Sequence, residues 1–417
     1  MDFVPYAVPF FLLAIALEYV WGRSVGRDTY RLNDSINSLS LGTLSTAIKL
    51  LGLDLAGTVF SVVESRFAVF RLDASSVWTW IAALLAYDFC YYWFHRISHE
   101  RSLLWAAHVV HHQSEEFNLS TALRQTSTGF LLGWVFYLPC FALGIPAKVF
   151  VTVASLHLIY QFWIHSRHIP KLGPLEWVLV TASNHRVHHA QNPGYVDTNY
   201  GGLLIIWDRL FGTFAEEREQ DPCVYGILGP LRSWNPLWAN VHIYAGMLHD
   251  LRHTRGWGSK LRVLLGRTGW RPEDVSLRYP REKPDLRSFT RFDPPVPTAA
   301  RFYVGLHFLA LSAFSLWLMA VAPELAPAPR AALLAYLALW LVTVGMMIER
   351  PLAGLRLEWL RLPLCLVVPV LSGGLPASYL MWAAYLAGSL ALLFWMGKIV
   401  RAQLRSVEAA AVVCSSS

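Results

Sequence analysis

The sequence predicts an all-α, polytopic membrane protein of about nine spans carrying a histidine-rich cap, and three observations lead there. Only 15% of the 417 residues are charged, against about 25% in ordinary soluble domains. Hydrophobic residues make up 55%, with 18 Trp, 17 Tyr and 22 Phe, more apolar side chain than one water-facing surface excludes. Long apolar runs recur along the chain, and in lipid such runs satisfy their backbone groups internally as helices. Soluble globular and disordered classes are excluded. The formal charge of +7 sits in loops and at the ends of apolar runs, where the positive-inside bias accounts for it better than nucleic acid does. Cys90, Cys140, Cys223, Cys365 and Cys414 include no CxxC pair, which argues against a disulfide framework and a thiolate metal site.

Residues 6–21 read as an uncleaved anchor. Arg23, Arg27 and Arg31 follow directly, placing that loop in the cytoplasm and the N-terminus outside. Residues 36–63 cross outward, long enough to be bent or partly re-entrant, and 76–94 cross back, which delivers His95 to the cytoplasmic surface. Apolar runs at 128–143 and 147–164, broken by Gly144-Ile145-Pro146, form a hairpin that returns to the same side, so His165 emerges at the same surface as His95. From 166 to 298 the chain is polar and basic, a cytosolic cap ending in a Pro-rich, charged linker. Four more spans are expected near 300–321, 331–348, 357–371 and 375–399, with few charges inside them and a disordered tail after Cys414.

Histidine carries the chemical information: 11 of the 15 lie between His95 and His189. His95 and His99 are an HxxxH pair where a span leaves the bilayer, so their rings share one helical face. His108, His111 and His112 form HxxHH, and His185, His188 and His189 repeat it within the cap. Imidazole suits Zn, Cu, Fe and Ni, and a single zinc takes four ligands, or three plus water. Eight convergent rings exceed one such site and point to two metals. Almost no acidic residue stands in the boxes, unlike a Mg or Mn cage or the carboxylate-rich sites of soluble di-iron bundles, so iron or zinc remains.

These boxes stand within Asp88-Phe-Cys-Tyr-Tyr-Trp-Phe-His95-Arg-Ile-Ser-His99-Glu100 and within the stretch from Asn184-His-Arg-Val-His-His189 through Tyr195-Val-Asp-Thr-Asn-Tyr-Gly-Gly to Trp207-Asp-Arg-Leu-Phe-Gly-Thr-Phe214. In order, spacing and tail they resemble the fatty acid hydroxylase and sterol desaturase superfamily over roughly residues 76–214. That resemblance implies a non-haem di-iron monooxygenase using O2, with His95, His99, His108, His111, His112, His185, His188 and His189 as ligands. His165 matches a further ligand position, but where relatives often have histidine four residues earlier this chain has Gln161, so water or the Gln161 side chain is the alternative. Glu100 matches an acidic residue of the motif, read as a proton acceptor, a partner fixing a ring tautomer, or a plain helix-end charge. Asp88 falls on the face of His95, where an ionisable group in an apolar span is paired or functional. It is expected to orient a histidine, with a Tyr or Trp partner as the alternative. Asn184 and Asp208 are expected to hold ring N–H groups, while His157 is read as an interhelical hydrogen-bonder, with a place along the substrate path as the alternative.

The resemblance divides the chain into anchor spans (1–75), a di-iron hydroxylase-type domain (76–214), a cap and linker (215–298) and a C-terminal four-span domain (299–417). It implies a lipid substrate, and over the whole chain it is closest to the branch of the family that cleaves ether lipids, alkylglycerols, to a fatty aldehyde and a glycerol derivative. No cytochrome, flavin or ferredoxin motif appears, so an external electron donor is expected: tetrahydrobiopterin for the ether-cleaving branch, cytochrome b5 or ferredoxin for a sterol or fatty acyl hydroxylase or desaturase. Ala-rich spans and an excess of Arg over Lys point to a GC-rich bacterium and its inner membrane. A metal or organic ion transporter is the reading from another class, and it predicts ionisable groups at mid-bilayer where these histidines are not.

Overall fold

The computed structural model describes residues 1–52, 56–281 and 285–415, with side chains as far as Gln403. Of the tail after Cys414, residues 416 and 417 lie outside the described residues. Regular structure among the described residues is helical, and β pairing is confined to isolated bridges such as Leu179 with Leu204. Two compact units are distinguished: Met1–Leu39, Asp54–Leu231 and Asn240–Arg291 form one, and Ser40–Leu53, Arg232–Ala239 and Phe292–Ser417 the other.

Helices α1 (Val4–Ser24), α2 (Leu32–Lys49) and α3 (Ala56–Phe67) lead into the two that carry the first boxes, α4 (Val77–Glu100) and α5 (Ser102–His112). Along α4 the side chains of Val77, Ile81, Leu85 and Phe89 are exposed, every fourth residue, a stripe suited to lipid. Its other side packs Ala83 and Cys90 on Cys140, Phe141, Ile145 and Val149. Those residues belong to α7 (Leu138–Ala142), to α8 (Ala147–Trp163) and to the turn between them; α6 (Leu119–Ala122) precedes them. The cap adds α9 (Ala182–His188), α10 (Ile206–Leu210), α11 (Pro236–His253), α12 (Trp257–Leu265) and α13 (Glu273–Arg278).

The helices do not confirm the count of nine crossings. Four among the described residues are long and apolar enough to cross a membrane: Val4–Ser24, Thr298–Glu324, Pro327–Glu349 and Pro376–Gln403. Of the other expected runs, 76–94 lies on the unbroken α4, outside that set of four, and the rest are interrupted or short. The 36–63 run breaks after Lys49, with Gly52 at φ 67°. The 128–143 run folds as two short 3₁₀ turns before α7, where Gly133 lets the Phe94 ring approach so closely that a Cβ would stand 3.2 Å from it. At 17 residues α8 is about 25 Å long, short of a hydrocarbon core of about 30 Å. The 357–371 run is divided between α16 (Pro351–Leu364) and α17 (Val367–Leu371), with Pro363 near the break.

The second unit holds α14 (Thr298–Val321), α15 (Pro327–Glu349), α16, α17 and α18 (Pro376–Ser415) around a buried ion pair that hydropathy does not reveal. Arg361 is fully buried and grips Glu358 with two nitrogens, at 2.7 and 2.6 Å. Tyr303 donates to the same carboxylate at 2.5 Å, Arg361 donates to the hydroxyls of Tyr336 and Tyr385, and its guanidinium lies 4.2 Å over the Trp340 ring. Four helices thus share one network. Removing one partner of a buried pair strands the other charge, at a cost of about 3–5 kcal/mol. Arg361→Met is expected to destabilise the protein by that amount in thermal unfolding, and Arg361→Met with Glu358→Gln by less. A single variant within about 1 kcal/mol of the parent would exclude the network as a clamp.

Candidate metal centre

Helix α4 ends because Arg101 is extended (φ −124°, ψ 126°), and α5 restarts one residue later. The corner is held from outside: Ser102 N donates to Gly266 O at 3.1 Å, Thr268 N donates to Glu100 O at 3.1 Å, and the Thr268 hydroxyl donates to His99 O. His95 and His99 close α4, and His108, His111 and His112 close α5. His165 follows α8, while His185 and His188 lie on α9 with His189 at its end.

All nine expected rings converge, in two groups. His95, His99, His108, His112 and His188 form one, and His111, His165, His185 and His189 the other. Within each group one ring nitrogen from every residue lies within 4.8 Å of the rest. Along the second group the Nε2 atoms of successive rings stand 3.2 Å apart (His111 to His165), 3.0 Å (His165 to His185) and 3.1 Å (His185 to His189). The groups adjoin, with the rings of His112 and His189 stacked at 4.3 Å.

Backbone carbonyls decide what these nitrogens offer. A carbonyl only accepts, so the rings facing one carry hydrogen on Nδ1: His95 toward Tyr200 O at 2.8 Å, His111 toward Arg124 O at 3.0 Å, His165 toward Gln161 O at 2.7 Å and His188 toward Thr198 O at 2.9 Å. In a neutral ring Nε2 is then a bare lone pair. His111 and His165 therefore aim lone pairs at each other across 3.2 Å, a repulsive arrangement unless a cation lies between. Protonating a ring is not the remedy, because burial pushes the His111 imidazole down to about 4 and holds His165, His185 and His189 well below the usual histidine range. The Nε2 atoms of His95, His99 and His188 are buried with no hydrogen-bond partner, a costly state for a polar atom. With a metal–nitrogen bond of about 2.1 Å, neighbouring ligands stand about 3.0 Å apart on an octahedron and about 3.4 Å on a tetrahedron. The donor set fits metal ions, and fits imidazole-preferring ones, since neither group contains a carboxylate.

The remaining expected residues act at one remove. Asp208 accepts from Tyr200 N, Gly201 N and the Thr213 hydroxyl, each at 2.7 Å, so it steadies the peptide whose carbonyl holds His95 and touches no ring. Asn184 Oδ1 accepts from Thr181 N at 3.0 Å and starts α9. Glu100 lies outside both groups and pairs with Arg96 at 2.9 Å. Asp88, fully buried, accepts from His157 Nε2 (2.7 Å), Leu203 N (2.9 Å), Leu204 N (3.1 Å) and Trp207 Nε1 (2.9 Å). The histidine it orients is His157, with Trp207 a partner as well. Gln161 donates to His157 Nδ1 and accepts from Tyr91, so its side chain is engaged away from the metal groups while its backbone orients His165. His168, His242, His249, His253 and His307 belong to neither group.

Sequence reasoning missed the three loop carbonyls, of Arg124, Thr198 and Tyr200, and the glycine that brings the last loop close. A Cβ at Gly202 would stand 2.3 Å from His157 Cε1 and 2.7 Å from Tyr91 Cδ1. The signal was the Gly201-Gly202 pair after Asn199, itself at φ 55°.

Acid should open this site. An unfolded imidazole takes its proton near 6.5, whereas folded His111 does so near 4. Between those values the unfolded chain binds more protons, so stability falls as pH falls, by about 1.4 kcal/mol per unit for each such ring. Asp208, pushed up to about 6 by burial, works in the opposite sense, as do Glu116 and Asp197, whose carboxyls burial also raises, but these are three groups against a larger number of rings. The thermal midpoint of the metal-free protein is expected to drop between pH 7 and 5. A flat or rising midpoint would contradict the neutral-ring assignment.

The model of the fatty acid hydroxylase family matches residues 80–213. The chain is 37% identical to the alkylglycerol monooxygenase of Xenopus tropicalis over 364 residues, 86% of this chain and 80% of that protein. It is 36% identical to the alkylglycerol monooxygenase of Homo sapiens over 363 residues, 86% and 81% of the two chains. An ornithine lipid hydroxylase of Rhizobium tropici is 29% identical over 157 residues, 36% of this chain and 45% of its own. No solved structure matches the chain.

Proposed function

The chain belongs to the fatty acid hydroxylase family, among the alkylglycerol monooxygenases, and from that premise we propose that it is a di-iron oxygenase cleaving the ether bond of alkylglycerols. Monooxygenase activity on lipid from within a membrane follows from the family, and the histidine groups are consistent with dependence on iron. His95, His99, His108, His112 and His188 hold one iron, and His111, His165, His185 and His189 the other. The observation that carries this is the pair of adjoining groups with lone pairs facing inward. Bound iron supplies the reduction of O2 and the attack on an unactivated C–H bond.

The protein's own part is positioning. Carbonyls of Arg124, Gln161, Thr198 and Tyr200 fix ring tautomers, which keeps Nε2 basic and aimed. Asp208 and Asp88 hold the 199–208 loop, which bears one of those carbonyls, that of Tyr200. Glu100, paired with Arg96 and outside both ligand groups, is the candidate proton acceptor beside the site. Hydroxylation of the carbon beside the ether oxygen gives a hemiacetal, which collapses to a fatty aldehyde and glycerol derivative without a hydrolase. Two external electrons per turnover come from tetrahydrobiopterin. The basic loop after α1 supports a site on the cytoplasmic face, and the Ala- and Arg-rich composition supports a bacterial inner membrane. Residues 76–214 form the oxygenase domain, and 299–417 a scaffold.

Metal analysis of anaerobically purified protein is expected to give two irons per chain, and turnover with O2, tetrahydrobiopterin and an alkylglycerol to release aldehyde in step with oxygen consumed. Activity on a fatty acyl lipid or a sterol alone, or with ferredoxin in place of the pterin, would replace the substrate or the donor. Stoichiometric zinc with no oxygen uptake would overturn the oxygenase reading.

A further inference from the structure

Helix α12 presents two apolar faces, and only one is used by the fold. Val263 turns inward, with Leu103 and Ala106 of α5 and Ile243 and Met247 of α11 in the same cluster, and Leu264, half-buried, packs against that cluster from the flank of the helix. Trp257, Leu261 and Leu265 turn outward, 85%, 58% and 52% exposed. At about 100° per residue these three, spaced i, i+4, i+8, span an arc of about 80°. Lys260 and Arg262 fall about 100° to either side of the arc's centre. Each lies over an aromatic ring: Lys260 Nζ is 5.3 Å from the centre of Trp257, and the Arg262 guanidinium is 4.3 Å from that of Trp270. Between Asp250 and Glu273 the chain carries Arg252, Arg255, Lys260, Arg262, Arg267 and Arg271 and no acidic residue. Among the described residues, Arg271 is the one of these within ion-pair distance of a carboxylate, gripping Asp250 at 2.8 Å.

We propose that α12 is an interfacial helix that seats its Trp257–Leu261–Leu265 stripe in an anionic bilayer surface. Three features favour lipid over an acidic protein as the occupant. An apolar stripe between basic flanks is the pattern of helices lying in the headgroup plane, with long cationic side chains reaching sideways to phosphate and Trp placed where ring and N–H meet different media. The chain is anchored in a membrane, so that surface is always within reach. And the residues after α12 hold the end of α4 through Gly266 and Thr268, at the end opposite the apolar stripe that α4 exposes. Seating α12 therefore braces the α4–α5 corner, from which His99 and then His108 project.

The full chain, with Cys223→Ser and Cys414→Ser, is to be labelled with an environment-sensitive fluorophore at Leu261→Cys and reconstituted into phosphatidylcholine vesicles with and without phosphatidylglycerol. The label is expected to be quenched by shallow spin-labelled lipid and shielded from aqueous iodide, more so with phosphatidylglycerol, and to lose that extra quenching in Arg255→Glu/Arg262→Glu. If Leu261→Cys does not fold, Trp257→Cys carries the same label. A label reached freely by iodide and untouched by the lipid quencher overturns the proposal, as does one shielded only after an acidic protein is added. Equal quenching in both lipids overturns the anionic preference.

Discussion

Replacing His165 with alanine is expected to remove one metal ion per chain and to abolish turnover, while Gln161→Ala retains both ions and a measurable rate. His165 Nε2 stands 3.2 Å from its counterpart on His111 and 3.0 Å from that on His185, the spacing of neighbouring ligands, and its group has only four members. Losing one of four leaves an ion with three nitrogens. The Gln161 side chain serves Tyr91 and His157 instead, and its contribution to His165 is a backbone carbonyl that alanine keeps. Loss of an outer partner typically lowers metal affinity or activity by about 10- to 100-fold, so Gln161→Ala should fall in or below that range and His165→Ala beyond it. Iron per chain, measured beside turnover, separates the two. If Gln161→Ala strips an ion and His165→Ala keeps both, the amide is the ligand and the ring is not.

That question stayed open in the sequence because Gln161 and His165 are four apart on one helical face, and spacing alone cannot say which turns inward. The boxes themselves were legible for a physical reason: i, i+3 and i+4 spacings bring rings together on any helix, so His95 with His99 and His108 with His111 and His112 needed only that α4 and α5 be helical at their ends. How those rings are held was not legible. Every residue has a carbonyl, and nothing in the letters marks those of Arg124, Thr198 and Tyr200 as the acceptors. Asp88 was legible as a paired group but not in its partners, because Leu203, Leu204 and Trp207 reach it from more than a hundred residues away. The expected runs 36–63 and 357–371 are not single helices, because hydropathy is blind to backbone breaks such as those near Gly52 and Pro363. The low charge density of the C-terminal spans concealed Glu358 and Arg361, whose meaning lies in their mutual grip.

The largest loss of stability is expected from Asp88→Ala. Its carboxylate is the acceptor for four donors brought from two directions: His157 on α8, and Leu203 N, Leu204 N and the Trp207 indole from the loop and helix after the third box. A methyl group satisfies none of them. Each buried donor left unpaired costs about 1–3 kcal/mol, so the variant should lose at least about 4 kcal/mol, beyond the range of ordinary substitutions. Water is a poor substitute here, since Gly202 packs against His157 and Tyr91 with no room for even a Cβ. The damage should reach the metal groups through a short path: the loop that loses Asp88 at residues 203 and 204 bears the Tyr200 carbonyl that aims His95. Asp88→Asn keeps one acceptor oxygen but turns an N–H₂ toward a donor, so its loss should be intermediate. Thermal midpoint and iron content are expected to fall together across Asn and Ala. An alanine variant that unfolds early yet binds its full iron would show that Asp88 braces the helices without governing the rings.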